Sequence, residues 1–151
     1  PAVSFAFYKN KNINLKELCY YIPSQIIGAV LASFSHSFFF GKNHSFGMTI
    51  NKLTVSQGAF LEILISMFLM LTIISVATNE KISKHITGFS IGGIIAVCSF
   101  VAGPFTGASM NPARSIGPAI LSYNFNHIII YILCPIIGAM IGLYIYQIIK
   151  K

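Results

Sequence analysis

An asparagine, a proline and an arginine stand close together in a glycine- and serine-rich stretch between apolar segments. Asn111 is followed by Pro112, and Arg114 is the only arginine of the 151-residue chain. Asparagine is a favoured helix N-cap and proline fits the first helical turn, so we expect a helix to begin here. Running to about Leu121, it would be roughly 16 Å long, about half of a ~30 Å hydrocarbon core. The chemistry that these residues offer is hydrogen-bond donation, by an amide and by a guanidinium.

The composition predicts a membrane protein. The chain is 55% hydrophobic and only 9% charged, with a mean hydropathy of +0.76, whereas soluble domains carry about 25% charged residues. An arginine and glycine-rich backbone at membrane depth are tolerated only where they line a wet cavity or are buried in protein. The stretch Ala102–Leu121 is therefore predicted to be a re-entrant half-helix that faces an aqueous path.

Four other segments reach, or nearly reach, the length that a membrane-spanning helix needs; the third is marginal at about 16 residues. The predicted spans are Leu15–Phe40, Ala59–Thr78, Ile86–Val101 and His127–Ile149.

The net charge of +7 comes from lysines that lie between and after the spans. The segment after Tyr8, the connection Asn79–His85 and the C-terminus hold seven lysines, whereas the other side holds only Lys42 and Lys52. The lysine-rich side is expected to be cytoplasmic and to contact anionic membrane lipid. No basic patch or reading motif supports a nucleic-acid partner.

The two ends of the chain resemble each other. Pro1–Ser4 matches Pro112–Ser115, and Tyr21–Ala32 matches Tyr131–Gly142, at nearly the same spacing. Such a coincidence favours duplication. Because three spans separate the copies, they enter the bilayer from opposite faces, as in the inverted repeats of transport proteins. The repeat also predicts that an asparagine and two further spans precede Pro1, so residues 1–151 are expected to be one N-terminally incomplete domain.

The motif TGASMNPARSIGPA resembles the second signature of the major intrinsic proteins, the aquaporin and glycerol-facilitator superfamily. The letters PAV at Pro1 are similar to the first copy, and Gln25 and Glu62 stand where this family has a glutamine and a glutamate. The resemblance runs through the whole chain. It implies an all-α membrane protein with an aquaporin-like inverted repeat, of which four spans and two half-helices are present here. It also implies one pore per subunit and a homotetramer in a plasma or bacterial inner membrane.

Details of the motif are most similar to nodulin-like intrinsic proteins and their bacterial relatives. Ser115 follows the arginine, as in water channels, and Tyr131 lies in the last span. Twelve positions before Asn111, where water-selective members usually have histidine, this chain has Ser99, and Ala108 is also small. The resemblance thus implies a passive channel for water and small uncharged solutes, such as glycerol, urea or metalloid acids. A strictly water-selective pore stays open as an alternative.

Carried over residue by residue, the resemblance implies a set of pore residues. A capping asparagine would bind backbone N–H groups through its oxygen and leave its NH₂ free to donate into the pore. The expected pore motifs comprise Pro1, Ala2, Asn111, Pro112 and Ala113. The expected selectivity filter comprises Ser99, Ala108 and Arg114, and the expected supports of the re-entrant loop are Glu62 and Gln25.

Other classes of function have less support. The chain contains no aspartate, its three glutamates fall in separate segments, and it has no CxxC, HExxH, GxxxxGK or nucleophile-elbow motif. We therefore predict no catalytic residue, no metal site and no cofactor. An ion-coupled transporter, with Glu62 as its membrane-buried charge, and a non-conducting protein are the remaining alternatives.

Overall fold

A computed structural model describes residues 1–41 and 46–150, and the secondary structure within these ranges is all helical. Four of the helices are long and apolar enough to cross a membrane, whereas α1 and α5 are short. The predicted fold class, with four spans and two half-helices, is confirmed; Lys42 lies outside the described residues. The helices are α1 (Ala2–Lys9), α2 (Leu15–Phe40), α3 (Val55–Ala77), α4 (Lys84–Thr106), α5 (Pro112–Ser122) and α6 (Ile128–Ile149).

Helix α3 begins at Val55, not at Ala59 as predicted, because a capping box lies just before it. The amide of Thr54 donates to Gln57 Oε1 at 3.2 Å, and the amide of Gln57 donates to Thr54 Oγ1 at 3.4 Å. This reciprocal pair satisfies backbone donors that a helix start leaves without partners. Polar residues that suggested a loop are therefore the first turn of the span.

Helix α4 is also longer than the predicted third span, which was wrong in ending at Val101. The helix has 23 residues and continues through Pro104 to Thr106. It stops where Gly107 adopts a left-handed backbone conformation, with φ +80°, and donates back into the last turn. The unwound backbone is thus confined to residues 107–111 and does not begin at Ala102.

Helices α3 and α6 form the most closely packed pair of spans. A Cβ atom placed on Gly142 would lie 2.5 Å from the carbonyl oxygen of Met67, and one on Gly138 would meet Ser66 Cβ at 2.8 Å. Only glycine permits so close an approach, which is how small residues at i and i+4 bring membrane helices together. This pair is the scaffold for both half-helices.

Each half-helix lies against α2 and α6. Ala2 and Ala6 of α1 belong to a buried cluster with Met70 and Leu143. In α5, a Cβ atom on Gly117 would lie 2.6 Å from the carbonyl group of Ala29, so this half-helix is held tightly on α2.

The first turn of α1 also meets the residues that lead into α5. Val3 packs against a cluster that contains Ala108 and Met110, together with Ile65 and Leu69 of α3. The repeat-related segments therefore share one core at the centre of the fold, as an inverted repeat requires.

The hydrogen bonds at the helix ends establish which ends share a membrane face. Gln147 of α6 donates to Asn10, just after α1, at 2.9 Å, and the hydroxyl of Thr87 in α4 donates to the carbonyl of Val76 in α3 at 3.5 Å. The ends of α1, α3 and α6 and the starts of α2 and α4 therefore lie together. This is the lysine-rich face.

Candidate functional site

The loop between α4 and α5 has an unusual backbone. Gly107, Ala108 and Met110 have positive φ angles of 80°, 46° and 53°. Residues with a side chain adopt this region rarely, at a cost of order 1–3 kcal/mol each. Such a loop keeps its shape only if its surroundings fix its polar groups.

A single carboxylate fixes them. Glu62 is fully buried, and its Oε1 accepts from the hydroxyl of Thr106 at 2.7 Å and from the amide of Ser109 at 2.9 Å. Its Oε2 accepts from the amide of Met110 at 3.0 Å. The hydroxyl of Tyr131 adds a bond to the carbonyl of Thr106 at 2.8 Å. Charge-assisted bonds to three donors offset the cost of burying the carboxylate and satisfy the unwound amides.

A chain of hydroxyl groups joins this loop to its neighbours. Thr49 donates to Ser115 Oγ at 2.8 Å, and the Ser115 and Ser109 hydroxyls are 2.6 Å apart. Ser109 donates onward to the carbonyl of Asn111 at 3.0 Å. The loop between α2 and α3, the unwound segment and the first turns of α5 are thus connected by side-chain hydrogen bonds, in which each hydroxyl donates to the next group of the chain.

Asn111 caps α5 with its oxygen. Its Oδ1 accepts from the amide of Ala113 at 3.0 Å, and Pro112 occupies the first helical position. Within the described residues, the Nδ2 group of Asn111 donates no hydrogen bond, and the residue is exposed. The geometry therefore leaves an amide NH₂ available to an incoming acceptor.

Arg114 is the third residue of α5 and is exposed, and its Nη1 donates to the carbonyl of Gly47. Gly47 lies in the loop between α2 and α3, and this loop is held in turn by the amide of Lys52, which donates to the carbonyl of Phe105 at 2.8 Å. The guanidinium has five donors, so those not directed at Gly47 can face a solute.

Asn111 and Arg114 line a common cavity of about 480 Å³. None of the described lining residues is acidic, and the N-terminal end of α5 adds a partial positive charge. This cavity suits a neutral solute that accepts hydrogen bonds and disfavours a cation. Its other wall is a face of α2 that includes Gln25, Ala29, Ser33 and His36.

The structure brings together some of the expected pore residues and separates others. Asn111, Ala113 and Arg114 line the cavity. Ala108 instead has its side chain in the buried cluster with Ile65, and Ser99 is exposed on α4 and is not among the lining residues described. Helix α4 packs on α3 through Cys98, whose Sγ donates to the carbonyl of Ile65, so Ser99 lies on the exposed side of α4.

Residues of the first motif copy lie at the start of α1. Pro1 takes the N-cap position without a side-chain hydrogen bond, and Ala2 is buried. Gln25 donates to the hydroxyl of Ser4 at 2.8 Å, whereas its Oε1 has no hydrogen-bond partner among the described groups. Gln25 therefore contacts a half-helix through a side chain, in contrast to Glu62, which binds loop backbone.

Two contributors to the site were not predicted from the sequence. Gly47 acts through a backbone carbonyl, which carries no residue-type signal, and Thr49 lies in a segment interpreted only as a polar loop. The one available signal was Arg114 itself, because a guanidinium at membrane depth requires an acceptor.

Four apolar spans and two half-helices that are related by the internal repeat define a membrane protein of inverted-repeat architecture. The family model described as Major intrinsic protein matches residues 1–146. The chain belongs to the major intrinsic protein family, whose aquaporin members are channels.

Curated relatives agree with this assignment. The chain is 36% identical to Nodulin-26 of Glycine max, 37% to Aquaporin NIP6-1 of Arabidopsis thaliana and 36% to Aquaporin NIP1-1 of Zea mays, in each case over 99% of its length. These matches cover 56%, 49% and 54% of the respective relatives, so the chain spans about half of their length. The resemblance to nodulin-like members is thereby confirmed.

Replacing Glu62 with Gln should destabilise the fold. An amide has one accepting oxygen, and its NH₂ group would oppose at least one of the donors that the carboxylate now satisfies. We expect the free energy of unfolding in mixed micelles to fall by about 1–3 kcal/mol. Glu80→Gln is the same chemical change at an exposed position and should leave the unfolding midpoint unchanged. Equal midpoints for both variants would contradict the role assigned to Glu62.

Proposed function

We propose that this protein is a passive channel that conducts water and small uncharged solutes, such as glycerol, urea or metalloid acids. The observation that carries the proposal is the pairing of a free amide donor on Asn111 with the exposed guanidinium of Arg114, in a cavity whose described lining has no acid. The nodulin-like relatives support this solute class.

The proposed mechanism follows from donor geometry. A passing water or hydroxyl solute offers its oxygen to the Asn111 NH₂, which occupies one of the two lone pairs of a water at that point and so disfavours a continuous proton-conducting chain. The N-terminal end of α5 carries about half a positive charge, and Arg114 adds a full one. Both repel cations, including hydronium, while a neutral acceptor is attracted.

The six described helices are proposed to be part of one six-span channel domain. The repeat relates α1 to α5 and α2 to α6, whereas α3 and α4 have no repeat partner among the described helices. Gly138 of α6 is covered by α3, but the matching Gly28 of α2 has no atom within 4 Å of a built Cβ. We propose that a helix equivalent to α3 packs there, and that Ser99 completes the filter from the exposed face of α4.

Ion-coupled transport has less support. Coupling requires a buried charge that can bind and release the ion. Of the three acidic residues of the chain, only Glu62 is fully buried within a span, whereas Glu17 lies in the first turn of α2 and Glu80 is exposed between α3 and α4. Both oxygens of Glu62 are already occupied by loop donors, so the carboxylate serves the backbone instead.

The first test is flux through proteoliposomes that contain the protein as its gene encodes it. Stopped-flow light scattering should show water and glycerol or urea permeation well above that of protein-free vesicles, with a low activation energy, because a pore replaces partition into lipid. Dissipating ion gradients should change neither rate. Permeation no faster than through bare lipid would rule out the channel.

The second test concerns exclusion of cations. Arg114→Val removes the fixed charge at the cavity and should raise proton leakage at least severalfold, because one of the two repelling charges is lost. Lys52→Val is the matched control, because it removes a cation from the loop that contains Gly47 but lies outside the cavity lining. Both are measured with a pH-sensitive dye in the vesicle lumen. If leakage is unchanged in Arg114→Val, Arg114 is not part of the barrier.

We also propose a homotetramer in the plasma or bacterial inner membrane. Helix α4 supports this state, since Phe89 and Phe100 lie together on a side of the helix other than that of Ser99 and are exposed at 85% each. Exposed apolar side chains of this size suit contact with a second subunit. Light scattering of the detergent-purified protein should give the mass of four subunits, and a monomer mass would contradict the proposal.

A further inference from the structure

A second cavity lies between the ends of α3 and α6, at the lysine-rich membrane face. Its volume is about 560 Å³, and none of its lining residues belongs to the pore cavity. Its lining combines two lysines, a glutamate, hydroxyl groups and aliphatic side chains; the residues used below are Leu71, Thr78, Glu80, Lys81, Tyr146 and Lys150.

The polar wall of this cavity is fixed by hydrogen bonds. Thr78 donates to the carbonyl of Ile74 at 2.6 Å, so the Tyr146 hydroxyl, 3.1 Å from Thr78 Oγ1, is the donor in that pair and joins α6 to α3. The ammonium of Lys150 lies 5.4 Å from the centroid of the Tyr146 ring, a cation–π contact. One of the two lysines is thereby positioned at the rim.

The cavity has a charged end and an apolar end. Lys81 and Lys150 follow the ends of their helices, at the membrane surface. Leu71 lies two helical turns before Thr78, which places it roughly 10 Å deeper in the bilayer. A soluble anion would contact only the lysines, whereas a lipid would contact the lysines with its headgroup and the aliphatic wall with its acyl chains.

We propose that this cavity binds an anionic glycerophospholipid, with its phosphodiester between Lys81 and Lys150 and its acyl chain along Leu71. Two ammonium groups and the carboxylate of Glu80 leave a net charge of about +1, which complements a single phosphodiester. Basic pockets between spanning helices on the cytoplasmic side are suited to lipid headgroups.

The test is binding of phosphatidylglycerol to the detergent-purified protein, counted by native mass spectrometry during a titration. The double variant Lys81→Gln/Lys150→Gln should lose affinity on the order of tenfold or more. Lys11→Gln/Lys16→Gln removes the same charge at the same membrane face outside this cavity and should bind like the wild type. Equal loss in both double variants would reduce the effect to general surface charge and overturn the site.

Three further measurements test the headgroup position and distinguish a lipid from free phosphate. Glu80→Gln should tighten phosphatidylglycerol binding severalfold, because it removes a repelling charge, and weaker binding would contradict the proposed headgroup position. Phosphatidylcholine should bind more weakly than phosphatidylglycerol. Inorganic phosphate should not displace the lipid at millimolar concentration; if it does so, the apolar wall contributes nothing and the lipid assignment fails.

Discussion

The backbone amides of an unwound loop at membrane depth must find partners within the protein, because the hydrocarbon offers none. In this chain one buried carboxylate supplies most of them. Glu62 accepts from the amides of Ser109 and Met110 and from the hydroxyl of Thr106. The donors at the cavity depend on this arrangement, since the loop that it fixes leads directly into α5, which is capped by Asn111 and carries Arg114.

Once the loop is fixed, the donors at the cavity follow from it. Asn111 directs its oxygen to the helix start and so presents only its NH₂, and Arg114 projects from the same first turn. The protein thus uses its two ionic groups at this depth in opposite ways. The carboxylate is buried and saturated by backbone donors, whereas the guanidinium is exposed and retains donors for a solute. A cavity with such donors and no described acid disfavours cations and leaves the donors available to neutral hydrogen-bond acceptors.

The fold places these groups through glycine contacts and helix caps. Gly142 lets α6 approach α3 until backbone touches backbone, and Gly117 does the same for α5 on α2. Capping residues such as Thr54 set where the spans begin. Near the lysine-rich face, the hydroxyl of Tyr146 joins α6 to α3, and a lipid-sized cavity lies between the ends of the two helices.

The sequence by itself determined the helical membrane fold, the start of α5 at Asn111 and the duplication, because these depend on local signals: apolar length, capping chemistry and repeated letters. It placed the end of α4 too early, since the helix continues from Val101 through Pro104 and stops at Gly107. Only the tertiary structure decided that Ala108 turns into the core, that Ser99 faces outward and that the carbonyl of Gly47 receives the guanidinium. Those outcomes depend on how separate helices pack and on backbone groups that every residue shares, so the residue types alone do not predict them.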